Sequence, residues 1–509
     1  MRKVSLLIVS LCVALTSLAL VPPRDPSLWA EWQAQVSAQA NAERLSSADG
    51  LRYAPAAAQA VGQRVIIPRV LLITVSFSDF AFTTPLADVD SMFNGQNWTK
   101  DGATGSLRQY FYDQSMGEYD PVFDIVGPVT LSHGYAYYGT GSGEKDSQTN
   151  ISKMVCEACS LVDDSVDFSL YDSNNDGYVD LVYIYYAGFG SNDRPNDYTS
   201  SLIPVWDNLV WPAYWSISSS SSPRYFDGKY ISACEYSNEL DALLTTAERT
   251  VVAGIGTACH EFGHALGLPD LYATNYAAHK LLGSWDVMCY GLYNNDTHTP
   301  PSYSAYERFF MGWLTPTLIT EPANLQLEHI ATSNQAYMIV AGDEHNMNGL
   351  QPNPNVFYLL ENRQQEGWDI DVPGSGLLLT RINYQSSKWS MNSVNNDPNS
   401  LGVDIIEADG LTPSINTAAG YLGKPGDVFP AGATEYLGIA DHPIDQITMD
   451  EGVVRFAYRG GVDTTHTDSV ATALPVTSRP TQACKTIQDG QVLIQTHNGT
   501  YNLLGIKQE

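Results

Sequence analysis

The sequence predicts an α+β chain in which a domain with a mixed sheet and a metal-binding helix is followed by a β-rich, sandwich-like domain. Three observations carry that expectation. Residues 257–270 read TACHEFGHALGLPD, with two histidines at helical spacing. Upstream, short β-branched runs alternate with stretches of helical periodicity. After residue 316, short alternating strands separated by Gly, Asn and Pro turns replace that pattern.

In chain order, Met1-Arg2-Lys3 precedes an apolar run over residues 4–20 and then Val21-Pro22-Pro23. A short basic head, a hydrophobic segment and a break mark residues 1–22 as a signal peptide, so the protein is expected to be secreted or to reside at the cell surface or in the periplasm. The run is short and no stop-transfer charges follow, which argues against a membrane span. Cys12 lacks the preceding Gly or Ala of a lipobox. Residues 23–65 read as a leader, mobile or helical, with a propeptide as one reading.

The domain over residues 66–315 opens with a β-branched apolar stretch at residues 64–77, a buried first strand. Residues 106–116 carry helical spacing of Leu107, Tyr110 and Phe111, residues 121–131 return to strand, and residues 150–162 read as helix. In the stretch that follows, Asp172, Asn174, Asp176, the Tyr178 carbonyl and Asp180 stand at alternate positions, with Gly177 in sixth place, as in a structural calcium loop. Tyr183 occupies the twelfth position, where such a loop needs a bidentate acid. An Asx-rich turn leading into a strand over residues 181–186 is the alternative. Trp206, Trp211 and Trp215 line either a substrate groove or the core.

An α-helix turns about 100° per residue, so His260 and His264 bring two imidazoles to one face, a spacing suited to zinc. Glu261 flanks that face as a base beside a water. Gly267 can adopt the left-handed conformation that ends the helix, and Pro269 cannot continue it. The turn presents Asp270 as a third ligand, and three ligands with one open position describe a catalytic zinc site. Downstream, Met288 within GSWDVMCY stands where a Met-turn would lie, the hydrophobic floor beneath the zinc in metzincins. Residues 303–313 form a closing helix that ends at Gly312.

Residues 316–460 make the β-rich domain, with strands over residues 337–340, 356–360, 376–382 and 403–406. The polar stretch 361–365 at a strand end suits an interdomain network. Residues 461–509 are a Thr-rich linker and a short segment of two or three strands.

Acids outnumber bases 56 to 26, for a formal net charge of −30 over 509 residues. That excess excludes nucleic acid and anionic membranes as partners and points towards basic or neutral substrates. A monomer is expected. Once a signal peptide is removed, Cys156, Cys159, Cys234, Cys259, Cys289 and Cys484 remain, too few for a disulfide scaffold. A Cys259–Cys289 bridge is conceivable.

The stretch HEFGHALGLPDLY with Trp285-Asp286-Val287-Met288 resembles the immune inhibitor A family (M6) of secreted, metzincin-like zinc metallopeptidases. Weaker similarities keep their order at residues 68–71, 105–117, 176–181, 358–363 and 426–430. The resemblance implies zinc on His260, His264 and Asp270, Glu261 as general base and Met288 beneath the metal. Asp270 stands where many metzincins have a third His, and a Glu or a water-bridged ligand stays open there. Tyr290 stands where some metzincins place an oxyanion-stabilising tyrosine, packing being the alternative. The last 25 residues are similar to C-terminal segments of exported Bacteroidetes proteins. The expected function is a secreted zinc endopeptidase acting on proteins and peptides. The alternatives are an inactive or latent peptidase-fold surface protein that binds host proteins or glycans, and a zinc hydrolase acting on other bonds.

Overall fold

The computed structural model describes residues 21–25, 64–139, 147–193, 209–217, 223–246, 248–275, 279–411 and 422–462, together with three strands near the C-terminus. The expected signal peptide up to residue 20, nearly all of the leader and the Thr-rich linker lie outside the described residues.

The first sheet is built from β1 (Arg69–Ser76), β2 (Val122–Thr130), β3 (Val182–Phe189), β4 (Ala213–Ser216) and β5 (Ala233–Leu240), in the order β2-β1-β3-β5-β4. The first four neighbours run parallel, and β4 pairs antiparallel with β5 at the edge. Both β3 and β5 are buried along their whole length, as strands covered on both faces must be. Helices supply the covers. Cys234 of β5 faces Cys156 and Cys159 of helix α3 (Ser147–Val162), whereas the next residue, Glu235, faces Glu261 of helix α4 (Gly256–Ala265). Side chains alternate along a strand, so α3 and α4 cover opposite faces. Helices α1 (Leu86–Asn94) and α2 (Leu107–Gln114) complete this part.

Strand β5 was not expected, and its chemistry explains why. Glu235, Ser237, Asn238 and Glu239 break the apolar signature of a central strand. The fold satisfies Glu239 internally: its Oε1 accepts from the amides of Thr83 and Thr84 at 2.7 and 2.6 Å and from both hydroxyls at 2.8 Å, and its Oε2 accepts from the Gly188 amide at 3.2 Å.

Helix α5 (Ala305–Met311) closes this region, with a capping box between Ser304 and Glu307 and left-handed Gly312 at its end. Beyond it lie β6 (Thr317–Leu318), β7 (Ala323–Leu327), β8 (Tyr337–Ile339), β9 (Val356–Arg363), β10 (Gly376–Asn383), β11 (Val403–Ile405), β12 (Ile444–Asp450) and β13 (Val453–Tyr458). They form a five-stranded sheet, β11-β10-β9-β8-β6, and a three-stranded one, β7-β13-β12. Alternation along the larger sheet divides its residues between two cores. Met338, Leu359 and Leu378 join the core of the first region, whereas Ile339, Leu360 and Leu379 pack with Ile444, Val454 and Phe456 of the smaller sheet. The described residues up to Gly461 form one compact unit. The second unit contains an antiparallel sheet of β14 (Cys484–Gln488), β15 (Gln491–Thr496) and β16 (Gly499–Asn502).

Five cysteines, including Cys259 and Cys289, are free buried thiols, so the conceived bridge is not formed. Among the described residues no helix is long and apolar enough to cross a membrane.

Candidate metal centre

Helix α4 is fully buried, and its one-turn spacing stacks His260 above His264. Gly267 takes φ +103°, the left-handed turn that Gly tolerates, and the chain reverses there. The reversal delivers Asp270 Oδ1 to 3.1 Å from Nε2 of both histidines, which stand 3.2 Å from each other. A tetrahedron with metal–ligand bonds of about 2.0 Å has edges of about 3.3 Å, so this triangle is one face of a zinc-sized polyhedron.

The hydrogen-bond pattern fits the same cation. His260 Nδ1 donates to the Val287 carbonyl and His264 Nδ1 to the Leu268 carbonyl, each at 2.8 Å, so that a metal displacing the proton from Nε2 would meet both Nε2 lone pairs turned inward. Asp270 Oδ1 is buried and accepts no donated hydrogen. Three lone-pair atoms thus converge in a dry site, an arrangement that a divalent ion satisfies. Among the described residues no other three His, Cys, Asp or Glu groups converge in this way.

Burial opposes charge on His264, but the Asp270 carboxylate outweighs it and lifts His264 to about 9, while burial lowers His260. Burial also pushes Asp270 up, and the two histidines overcome it and hold the carboxyl at about 2.

Glu261 lies beside the triangle, fully buried. Its Oε2 accepts from the Tyr214 amide of edge strand β4 at 2.6 Å, while Oε1 accepts from no donor. Burial pushes Glu261 up to about 8. Met288 is buried beneath the helix, and a Cβ placed on Gly263 would come within 2.8 Å of its sulfur. Gly263 therefore lets the Met288 turn approach between the two ligands. The phenol of Tyr290 donates to the Pro23 carbonyl.

Two contributors escaped the sequence reading. Asn392, 122 residues beyond Asp270, donates to Asp270 Oδ2 at 2.5 Å and accepts from the Asp270 amide at 2.7 Å. Asn395 donates to the Leu271 carbonyl at 2.8 Å. The only signal in the sequence is the Asn-rich run MNSVNND at residues 391–397. The second contributor is the chain's own residues 21–24, which are buried within reach of Glu261 and Tyr290.

The calcium-like loop is arranged differently. Asp172 accepts from the amides of Asp176 and Gly177 and from the Lys229 ammonium at 2.5 Å, Asn174 and Asp176 bond within the loop, and Asp180 accepts from the Ser173 amide. Tyr178 begins a two-residue strand. An internal ammonium thus supplies the positive charge at the first ligand position. Trp211 donates to the Val21 carbonyl at 3.0 Å and Trp215 lies half-buried on β4, while Trp206 is outside the described residues.

Residues 87–313 match the family described as immune inhibitor A peptidase M6, catalytic domain. The chain is 25% identical over 292 residues to immune inhibitor A of Bacillus thuringiensis subsp. alesti, a match covering 50% of this chain and 41% of that protein. It is 24% identical over 256 residues to the pre-pro-metalloprotease PrtV of Vibrio cholerae serotype O1, covering 46% of this chain and 25% of that protein. The match thus spans less than half the length of either relative.

Proposed function

We propose, on the premise that residues 87–313 are an M6-family peptidase domain, that this protein is a secreted zinc endopeptidase hydrolysing internal peptide bonds. The observation that carries the reading is the 3.1–3.2 Å triangle of His260, His264 and Asp270, with a buried carboxylate beside it. Zinc, when held there, supplies a Lewis-acidic charge that acidifies water and polarises a carbonyl. His260 and His264 offer it Nε2, Asp270 offers Oδ1, and Asn392 fixes the plane of that carboxylate. Glu261 accepts the proton of the attacking water on Oε1 and returns it to the leaving amine nitrogen, while the Tyr214 amide holds Oε2 in place. Tyr290, whose hydroxyl donates to the Pro23 carbonyl in this chain, would serve as an oxyanion donor only for a substrate that set its scissile carbonyl at that point.

The inactive-binder reading is disfavoured by the intact Glu261 with an unengaged oxygen. The deciding experiment is cleavage of casein by the purified chain with and without a chelator, with metal content read on the same sample. About one zinc per chain and chelator-sensitive internal cuts are expected. Glu261→Gln should keep the zinc and lose turnover by about 10²- to 10⁴-fold. Full activity in that variant would exclude Glu261 as the base.

A further inference from the structure

The cleft beside Glu261 already holds a peptide, the chain's own residues 21–24. They are seated by a ladder of main-chain hydrogen bonds that use no side chain of the occupant. The Val21 amide faces Glu261. The Val21 carbonyl accepts from Trp211 Nε1 at 3.0 Å, that of Pro22 from the Tyr293 hydroxyl and that of Pro23 from the Tyr290 hydroxyl, and the Arg24 amide donates to the Asn192 carbonyl at 3.0 Å. Recognition through the backbone suits any peptide in this extended form, and two consecutive prolines pre-set that form at low entropic cost.

The one side chain of this segment bound by charge is Arg24. Its guanidinium is 7% exposed and lies 2.7 Å from Asp241, 2.5 Å from Asp296 and 3.7 Å from Asp193. Asp241 and Asp193 are buried, while the Asp296 side chain stands half in solvent at the mouth. The pocket is braced independently of its occupant. Asp241 Oδ1 accepts from the amides of Leu243 and Leu244 at 2.9 and 2.7 Å, and Asn238 approaches Asp193 at 3.5 Å. Burial pushes Asp193 up to about 7, so the guanidinium is met chiefly by Asp241 and Asp296, with Asp193 behind them. A buried carboxylate such as that of Asp241 is stabilised by a cation seated against it.

We propose that Asp193, Asp241 and Asp296 form a specificity pocket that takes a basic side chain of the bound peptide, three residues C-terminal to the one whose amide faces Glu261, and that Arg24 fills it in the chain itself. This rests on the endopeptidase reading. The substrate class it names is extended peptides bearing Arg or Lys at that position, and in a chain that retains residues 21–24 the seated segment competes with them.

The test uses the full chain carrying Arg24→Gln, which frees the pocket, and two internally quenched peptides that contain Val-Pro-Pro-Arg-Asp or Val-Pro-Pro-Gln-Asp. The Arg peptide should be favoured by about tenfold or more in kcat/KM. Adding Asp241→Asn should collapse that ratio towards one. Equal rates on the two peptides in the Arg24→Gln protein overturn the proposal. Should neither the wild-type nor the variant protein cut casein or either peptide, the endopeptidase reading fails by itself. The pocket is then judged by anisotropy of the same peptides labelled with fluorescein, where equal affinity for both overturns it. If Arg24→Gln does not fold, Asp296→Asn replaces it, because Asp296 is half exposed. A reduced Arg preference then supports the pocket, and an unchanged one overturns it.

Discussion

Two buried clusters of charge in this chain are built on opposite plans. Around Arg363 the cation is internal. Its guanidinium reaches Glu361 at 3.0 Å and Asp369 at 2.5 and 3.0 Å and also donates to the Ser302 carbonyl, while Asp369 accepts from the Ser302 amide and faces His329. Around Asp270 the one internal positive charge is a proton that His264 can release, and His260, His264 and Asp270 converge on one shared space. Burial is equal in the two places. What differs is whether the charge closes upon itself or waits for a partner from outside, and only the second arrangement can host a metal. In the loop at residues 172–180 the Lys229 ammonium donates to Asp172.

The comparison can be broken from either side. The largest effect is expected for His264→Ala, which removes one vertex of the triangle. Zinc affinity should fall by more than about 100-fold, beyond what losing an orienting partner costs, and proteolysis with it. Metal analysis of the dialysed variant checks this, and a full zinc complement would refute the assignment. Next is Arg363→Met, which strands Glu361 and Asp369 without their cation. A loss of about 3–5 kcal/mol in chemical denaturation is expected, with zinc affinity unaffected in the protein that remains folded. Asn392→Ala should act the other way round, lowering zinc affinity by about 10- to 100-fold with little change in the far-UV spectrum. Chelator competition reads that shift, and unchanged affinity would mean that Asp270 needs no orienting partner.

The smallest effect is in acid. Burial pushes the Asp369 carboxyl up, but Arg363 and His329 outweigh it and hold the group at about 2, below its ordinary 3.8. A depressed folded value contributes stability that is fully present above 3.8 and fades as the pH falls from about 4 to 2. The contribution is about 2 kcal/mol. It should vanish from the difference between wild-type and Asp369→Asn unfolding curves at the acid end, and a difference that persists at pH 2 would show that the pairing is not the cause.

The convergence of His260, His264 and Asp270 was legible in the sequence because helix geometry and one glycine turn gather them from eleven consecutive residues. The strand at residues 69–76, the helices at 147–162 and 305–311 and the strands at 356–363 and 376–383 followed from apolar periodicity in the same way. What escaped was set by distance and by polarity. Asn392 reaches Asp270 across 122 residues, and the Tyr290 hydroxyl meets Pro23 across 267, separations over which no local pattern operates. The central strand Ala233–Leu240 was hidden because Glu235, Asn238 and Glu239 interrupt its apolar pattern, and Glu239 is satisfied by Thr83, Thr84 and Gly188, neighbours that only the fold brings close.

The sheet of β8, β9 and β10 is a party wall with a room on either side. Its odd and even residues furnish different interiors, and the loop that steadies Asp270 hangs from the far end of the same wall, between β10 and β11. The region before residue 316 consequently has no spare half. A chain cut there would lose its wall and the Asn392 brace on Asp270 at once, so any smaller folded fragment would have to keep both sheets.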